Sequence, residues 1–337
     1  MDKRNNCFSL LRCVIALRVI YGHAIVSHMS VAWDIKLINW IDAVPLFFFI
    51  SGYSIMMSLS NRNDSLREYG IKRFLRLYPE LWLSLILEII LLIAQFPYLL
   101  KESQFYLWIF GQSTLFQFWT PDCLRFYGNG TPNGSLWTIV VFIQFYLLIY
   151  YLYPKIKKLN YKSDVVIFIV LILLNSFISI FDGILPDIVF KLVLETILPY
   201  MYMFYFGIIF YKYSDKLIPL CKKFFWVTLI AYLLAGYFNS YLNFIPHTYN
   251  TQCVIHILIT CIFFFAFAYR FPSLKLKNDY SYGIYVFHMV VMNFFVHNQI
   301  LKNSYLALIT IYVITIVLAF VSNKLSKPII KKLKAVL

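Results

Sequence analysis

Ten apolar runs recur along the chain and leave little sequence between them. Each run has about 18 to 24 residues, which as a helix crosses the roughly 30 Å hydrocarbon core of a bilayer. The runs lie at residues 7–30, 38–60, 78–100, 135–154, 164–181, 188–211, 224–243, 251–270, 280–299 and 305–323. Composition agrees, because 61% of the 337 residues are hydrophobic and only 13% are charged, whereas soluble domains carry about 25% charged residues. The sequence therefore predicts an all-α integral membrane protein with about ten transmembrane helices. We expect one transmembrane domain over residues 1–337 and no appended soluble domain.

The basic residues test this number of spans, because cytoplasmic loops of membrane proteins carry an excess of Lys and Arg. With ten spans and a cytoplasmic N-terminus, 23 of the 30 Lys and Arg fall in inside segments. Four fall in outside loops: Lys36, Lys101, Arg125 and Lys302. This split predicts that both termini are cytoplasmic and that the protein is a multi-pass protein of the plasma (inner) membrane. It also accounts for the net charge of +15 without a nucleic acid partner.

Residues 105–119 are apolar and aromatic but short, and they contain Gly111, Gln112, Ser113 and Gln117. If this segment crossed the membrane, every later loop would change sides and the charge split would be lost. We therefore predict an interfacial or re-entrant piece within the outside segment 101–134.

The first apolar run carries Arg12, Arg18 and His23. An ionisable group inside a bilayer is costly, so such residues usually have a function. Arg12 and His23 are eleven positions apart, which places them on one face of a helix about 16 Å apart along its axis. Arg18 points away from that face. Arg12 and His23 are interpreted as the two ends of a substrate path.

Other polar groups recur in or beside the runs, and each has an ordinary structural interpretation as well. Pro45 and the pair Ser51-Gly52 are also explained by a kink or a close helix contact. Arg73 and Arg76 are suited to phosphate groups, or they are simple anchors on the cytoplasmic side. Ser281, Tyr285 and His288 share one helix face, although a lone membrane His more often serves packing. The six cysteines show no metal-ligand spacing, so we expect no metal site and no disulfide.

Taken together, these residues resemble membrane-bound acyltransferase family 3, whose members are integral-membrane O-acyltransferases that modify sugars and cell-envelope glycans. The resemblance covers essentially the whole chain. Its most specific part is an Arg, ten residues and then a His in the first span, matched by Arg12 and His23. Further matches are Phe48 to Tyr53, Arg73 with Arg76, Leu136-Trp137, Gln144 to Leu147, and Ser281 to His288.

The resemblance implies transfer of an acyl group, usually acetyl, from cytoplasmic acyl-CoA to a carbohydrate hydroxyl of a capsule, O-antigen or exopolysaccharide unit. In this scheme Arg12, Arg73 and Arg76 bind the phosphate-rich donor and His23 acts as general base. A covalent acyl-enzyme remains an alternative. No permanently bound cofactor is expected, since acyl-CoA is a co-substrate. Supporting or substrate-binding roles are expected for Ser51, Trp137, Gln144, Tyr146, Ser281, Tyr285 and His288.

The chain departs from the family at one position. Many members carry a Glu where this chain has Phe142, two residues before Gln144. Glu88, Glu195 and Asp42 are the available acids in or near the spans. Two alternatives therefore stay open, a catalytically weakened acyltransferase homologue and a membrane transporter or flippase for a glycan or lipid.

Overall fold

The computed structural model describes residues 3–27, 36–61, 64–241, 253–301 and 305–336. Within these ranges the chain forms α-helices joined by short 3-10 turns, so the predicted all-α class is confirmed. Parts of the predicted spans (28–30, 242–243 and 251–252) lie outside the described residues, as do Arg62 and Lys302 of the charge count. The helices are α1 Phe8–Val26, α2 Lys36–Asn39, α3 Ala43–Ser60, α4 Leu66–Gln95, α5 Ser103–Ser113, α6 Trp137–Ile156, α7 Tyr161–Ile180, α8 Asp187–Leu194, α9 Met201–Lys212, α10 Ser214–Lys223, α11 Phe225–Tyr241, α12 Val254–Arg270, α13 Ser281–His297 and α14 Tyr305–Val336.

Six helices are long and apolar enough to cross a membrane among the described residues, or up to eight if each of two bent pairs forms one span. The chain is thus a multi-pass membrane protein, while the count of ten spans and the cytoplasmic termini stay predictions. One bent pair is α8 with the segment Leu198–Lys212 (52°), and the other is α10 with α11 (80°). Helix α5 has 11 residues, or about 16 Å of length, which is too short to cross the bilayer.

The chain divides into two compact units. The first unit contains Met1–Ile15, Ile35–Asp64 and Ile143–Asn278. The second contains Ala16–Asp34, Ser65–Phe142 and Asp279–Leu337. Helix α1 begins in the first unit and ends in the second, so Arg12 belongs to the first unit and His23 to the second.

The first unit is built on the packing of α3 against α9. Gly52 of α3 faces the backbone carbonyl of Phe204, and Gly207 of α9 faces that of Phe49. A side chain at either glycine would push against the other helix backbone, so the pair permits a close approach of the kind that small residues give membrane helices. Of the two structural interpretations of Ser51-Gly52, the structure supports the close helix contact.

The second unit is built around α13, which packs against α4 and α14. Residues on every side of α13 are buried, as expected for a helix that forms the centre of its unit. Helix α4 begins with a capping box in which Ser65 and Glu68 each accept a backbone N–H of the other. Its 30 residues extend about 45 Å, more than the bilayer core requires, so its first turns, which carry Arg73 and Arg76, extend beyond the predicted span at 78–100.

Candidate active site

Two histidines lie side by side in the second unit. The rings of His23, on the last turn of α1, and His288, on α13, have centroids 5.2 Å apart and planes inclined by 40°. His288 is fully buried, whereas His23 is half-buried. The ring of His23 thus lies next to a second imidazole.

One hydrogen bond fixes the orientation of His288. Its Nδ1 lies 2.6 Å from the carbonyl oxygen of Tyr285, and because a carbonyl only accepts, Nδ1 carries the proton. The neutral ring then presents a lone pair at Nε2, which is buried and has no hydrogen-bond partner among the described residues. A buried nitrogen of this kind is costly unless it serves chemistry or a ligand.

Tyr285 and Ser281 connect α13 to its surroundings. The Tyr285 hydroxyl donates to the Ser135 carbonyl (2.6 Å) and lies 2.8 Å from the hydroxyl of Thr138 at the start of α6. Ser281 donates its hydroxyl to Asp279 Oδ1 (2.6 Å), at the beginning of α13. Trp137, the first residue of α6, is half-buried. These contacts hold the helix that carries His288 in one position.

The predicted donor-binding arginines of α4 lie in the same unit as His23. The Arg73 guanidinium stacks over the ring of Tyr69, 4.9 Å from its centroid. Arg76 is half-exposed and lies 3.7 Å from Asp279 Oδ2. An exposed pair at that distance is weak, so Arg76 remains able to bind an anion.

The remaining predicted site residues belong to the first unit. Arg12 is half-buried on α1, Ser51 is half-buried on α3, and Tyr146 is buried on α6. The Gln144 side chain spans the break after α8, since its Nε2 donates to Glu195 O (2.8 Å) and its Oε1 accepts from Ile197 N (3.3 Å). Gln144 thus satisfies backbone groups that the break exposes, and its role towards substrate stays a prediction.

The three acids considered as substitutes at Phe142 have different surroundings. In the first unit, Asp42 lies 2.8 Å from His256 Nδ1, and Glu195 directly follows α8. Glu88 is the one of the three that shares a unit with His23. It is buried in α4 at 2% exposure, and neither carboxylate oxygen has a hydrogen-bond partner among the described residues.

Sequence reasoning missed three polar residues beside the histidines. The Ser27 hydroxyl donates to the carbonyl of His23 (2.7 Å) and accepts from Asn129 Nδ2 (2.7 Å). Asn129 in turn contacts the buried Asn293 of α13. Two signals were present, a Gly-Asn-Gly turn at 128–130 and an Asn inside an apolar run five residues after His288. Their meaning depends on contacts that sequence spacing does not encode.

Within the described residues no group of three or more His, Cys, Asp or Glu side chains could hold a metal ion. The described cysteines are all free thiols.

Comparison with known proteins gives one family match and two relatives. Residues 5–323 match the family model described as "Acyltransferase domain", of the acyltransferase-3 type. Nodulation protein 10 of Rhizobium leguminosarum bv. viciae is 25% identical over 311 residues, which cover 86% of this chain and 83% of the relative. An O-acetyl transferase of Shigella phage Sf6 is 26% identical over 297 residues, which cover 84% of each chain. No solved structure matches the chain.

Proposed function

The chain belongs to the acyltransferase-3 family and is an integral-membrane O-acyltransferase, and we propose that its donor is cytoplasmic acyl-CoA, with acetyl as the expected group. We propose further that the acceptor is a hydroxyl of a cell-surface polysaccharide or a lipid-linked glycan. The protein would act in the plasma membrane. The observation that carries this proposal is the pair of imidazoles formed by His23 and His288 in a chain of this family.

His23 is the proposed general base. An acceptor hydroxyl attacks the thioester carbonyl, a C–O bond forms, and the C–S bond to CoA breaks. His23 takes the hydroxyl proton during the attack and returns it to the departing thiolate, so the reaction has no net proton change. A positioned base of this kind contributes about 10²–10⁴ in rate. The proton of His288 is fixed on Nδ1 by Tyr285, so its Nε2 lone pair is available beside the ring of His23 to take part in the proton transfer.

The donor side of the proposal rests on the arginines. Acyl-CoA carries several phosphate groups, and guanidinium forks bind phosphate through paired, charge-assisted hydrogen bonds. Arg73 and Arg76 lie in the first three turns of α4, and by the predicted topology this end faces the cytoplasm. Arg12 is proposed as a third donor-binding cation near the cytoplasmic end of α1.

The acceptor side rests on the family and on one relative. The phage relative is named as an O-acetyl transferase, which supports acetyl as the transferred group. A carbohydrate acceptor follows from the family resemblance.

The direct test is His23→Ala in purified, detergent-solubilised protein with radiolabelled acetyl-CoA. We expect transfer to fall by about 10²-fold or more because the base is lost, and added imidazole to restore part of the rate by filling the space left by the ring. Transfer is measured as label incorporated into de-O-acetylated surface polysaccharide of the source cell.

The matched control is Ile25→Ala, on the same last turn of α1, where the side chain is 40% exposed. Its transfer rate should equal that of the wild type. Wild-type transfer in His23→Ala would refute the assignment of the base. A protein that transports a glycan instead would neither bind nor consume the thioester.

A further inference from the structure

A tight turn at residues 128–130 of the second unit contacts Asn293 of α13 and Ser27, which follows α1. Gly128 and Gly130 have φ of +57° and +86°, a left-handed conformation that favours glycine. A side chain at Gly128 would also collide with the side chain of Asn293. Between the two glycines, Asn129 is exposed. The turn thus presents one polar side chain at a fixed place.

Asn293 makes four hydrogen bonds to this turn and to the residues that follow it. Its Oδ1 accepts from both the backbone N and the Nδ2 of Asn129, each at 3.1 Å. Its Nδ2 donates to the carbonyls of Thr131 (2.8 Å) and Pro132 (2.7 Å). A primary amide has two donors and two acceptor lone pairs, so Asn293, which is fully buried, uses all four on one loop.

The same loop is hydrogen-bonded to the chain segments that carry the two histidines. Asn129 Nδ2 donates to Ser27 Oγ, and Ser27 Oγ donates to the carbonyl of His23, each at 2.7 Å. Asn133, which directly follows Pro132, donates through its Nδ2 to the carbonyl of Val286 (2.9 Å), two residues before His288. Ser27 therefore links the side chain of Asn129 to the backbone carbonyl of His23 through two hydrogen bonds.

We propose that Asn129 binds a hydroxyl of the acceptor and that Asn293 is the positioning residue that holds Asn129 beside His23. Both Nδ2 protons of Asn129 are directed to Ser27 and Asn293, which leaves its Oδ1 to accept from a ligand hydroxyl. A polyhydroxylated ligand such as a carbohydrate supplies that donor. The proposal rests on the proposed function and deepens its acceptor side, since by the predicted topology the turn faces away from the cytoplasm.

A rigid contact of this kind has an energetic advantage. A loop that is already ordered loses little conformational freedom when a ligand binds, so more of the contact energy remains as affinity. The alternative is that the turn is only a structural clamp between the loop and α13. If Asn129 binds the acceptor, weakening the hydrogen bonds of the turn in a protein that still folds lowers the affinity for the acceptor. If the turn is only a structural clamp, that affinity does not change.

The experiment compares the Michaelis constants of Asn293→Asp with those of the wild type. The aspartate has the same size and keeps an acceptor for Asn129, but it turns an oxygen towards the carbonyls of Thr131 and Pro132. We expect the KM for de-O-acetylated surface polysaccharide to rise by about tenfold, the effect of roughly one hydrogen bond. The KM for acetyl-CoA and the kcat at saturating polysaccharide should stay within about twofold of the wild type, since the contact binds acceptor and leaves the base intact.

A second variant, Asn129→Ala, removes the proposed contact itself. Its KM for the polysaccharide should rise by a similar factor, and the double variant should be no worse than Asn129→Ala, because both changes act through one contact. Additive effects in the double variant would overturn the positioning role of Asn293.

The matched control is Asn175→Asp in the first unit. Asn175 is also a buried amide whose Nδ2 donates to a proline carbonyl, that of Pro199, at 2.8 Å. We expect a lower melting temperature there without a change in the KM for the polysaccharide. An equal rise in KM in Asn175→Asp would reduce the Asn293 effect to general destabilisation and overturn the inference.

Failure of the inference and failure of the proposed function are distinguishable. If the wild type transfers acetyl groups and His23→Ala does not, but Asn293→Asp keeps the wild-type KM for the polysaccharide, the inference alone is wrong. If the wild type transfers no label from acetyl-CoA to the polysaccharide, the proposed function is overturned and the inference with it.

Discussion

Asp164 in the first unit and His288 in the second are both fully buried, but their polar atoms are used in opposite ways. Asp164 Oδ1 accepts from the hydroxyl of Tyr205 (2.6 Å). Its Oδ2 accepts from Lys212 Nζ (2.5 Å) and from the hydroxyl of Tyr213 (2.6 Å). Lys212 Nζ also donates to the carbonyls of Ile156 and Leu159. Every strong donor and acceptor in this cluster therefore has a partner.

His288 has one partner for its two nitrogens. Its Nε2 is left without a hydrogen bond among the described residues, next to the ring of His23. A buried polar network that is fully satisfied fixes architecture, whereas an unsatisfied buried group marks a place where a ligand or a proton is received. Asp164 thus holds helices together, whereas His288 keeps a ring nitrogen available for a ligand or a proton.

The largest expected effect is on stability, from Asp164→Ala. The substitution leaves the Lys212 ammonium and the hydroxyls of Tyr205 and Tyr213 without the carboxylate that they share, and breaking a buried ion pair in this way costs about 3–5 kcal/mol. Unfolding in detergent, followed by circular dichroism, should show a large drop in melting temperature. The transfer rate per folded molecule should not change.

A paired control separates lost charge balance from lost packing. The double variant with Asp164→Leu and Lys212→Met removes both charges at similar volume, and such replacements are often neutral or stabilising. We expect the double variant to melt above Asp164→Ala. A double variant as unstable as the single one would show that packing, and not the unpaired charge, dominates.

The next effect is on catalysis, from His288→Phe. Phenylalanine keeps the buried ring but removes both nitrogens, so we expect kcat to fall by roughly 10²-fold, the lower end for a group that takes part in proton transfer, with little change in melting temperature. The control is His297→Phe on the same helix, where the ring packs against Tyr127 and Phe96 at 4.9 and 5.1 Å. If kcat is unchanged in His288→Phe, then His288, like Asp164, has only a structural role.

The smallest effect on stability should come from Arg76→Ala. Its pair with Asp279 is long and half-exposed, so its loss should change the free energy of unfolding by less than about 1 kcal/mol. The KM for acetyl-CoA should nevertheless rise if Arg76 binds donor phosphate, by about tenfold for one charge-assisted contact. An unchanged KM for acetyl-CoA would leave Arg76 as a topological anchor and nothing more.

Much of this architecture could be predicted from the sequence, because bilayer thickness and the hydrophobic effect act on composition directly. Each predicted span overlaps a helix, and the Arg12 to His23 spacing identified the family. The break after α8 was missed, since the run at 188–211 is long and mostly apolar and is consistent with one span despite Lys191 and Glu195. Hydropathy records how apolar a segment is, whereas the bend depends on Pro199 and on Gln144, which satisfies the freed backbone groups from another helix.

The site was predictable in part for a related reason. His23 and His288 were singled out because ionisable residues are rare in membrane spans and because motifs repeat within a family, and their roles stay predictions. Asn293 and Asn129 are 164 positions apart, and neither is unusual by itself. Their roles arise only when the chain has folded, which is why composition and spacing alone did not reveal them.

The close packing of α3 on α9 has a consequence for biosynthesis. Gly52 and its partner Phe204 are about 150 residues apart, and at roughly 5–20 residues per second α9 leaves the ribosome about 8 to 30 s after α3. During that time the glycine surface of α3 has no α9 to pack against. Insertion and assembly of the first unit are thus separate events, and the second event begins only when α9 arrives.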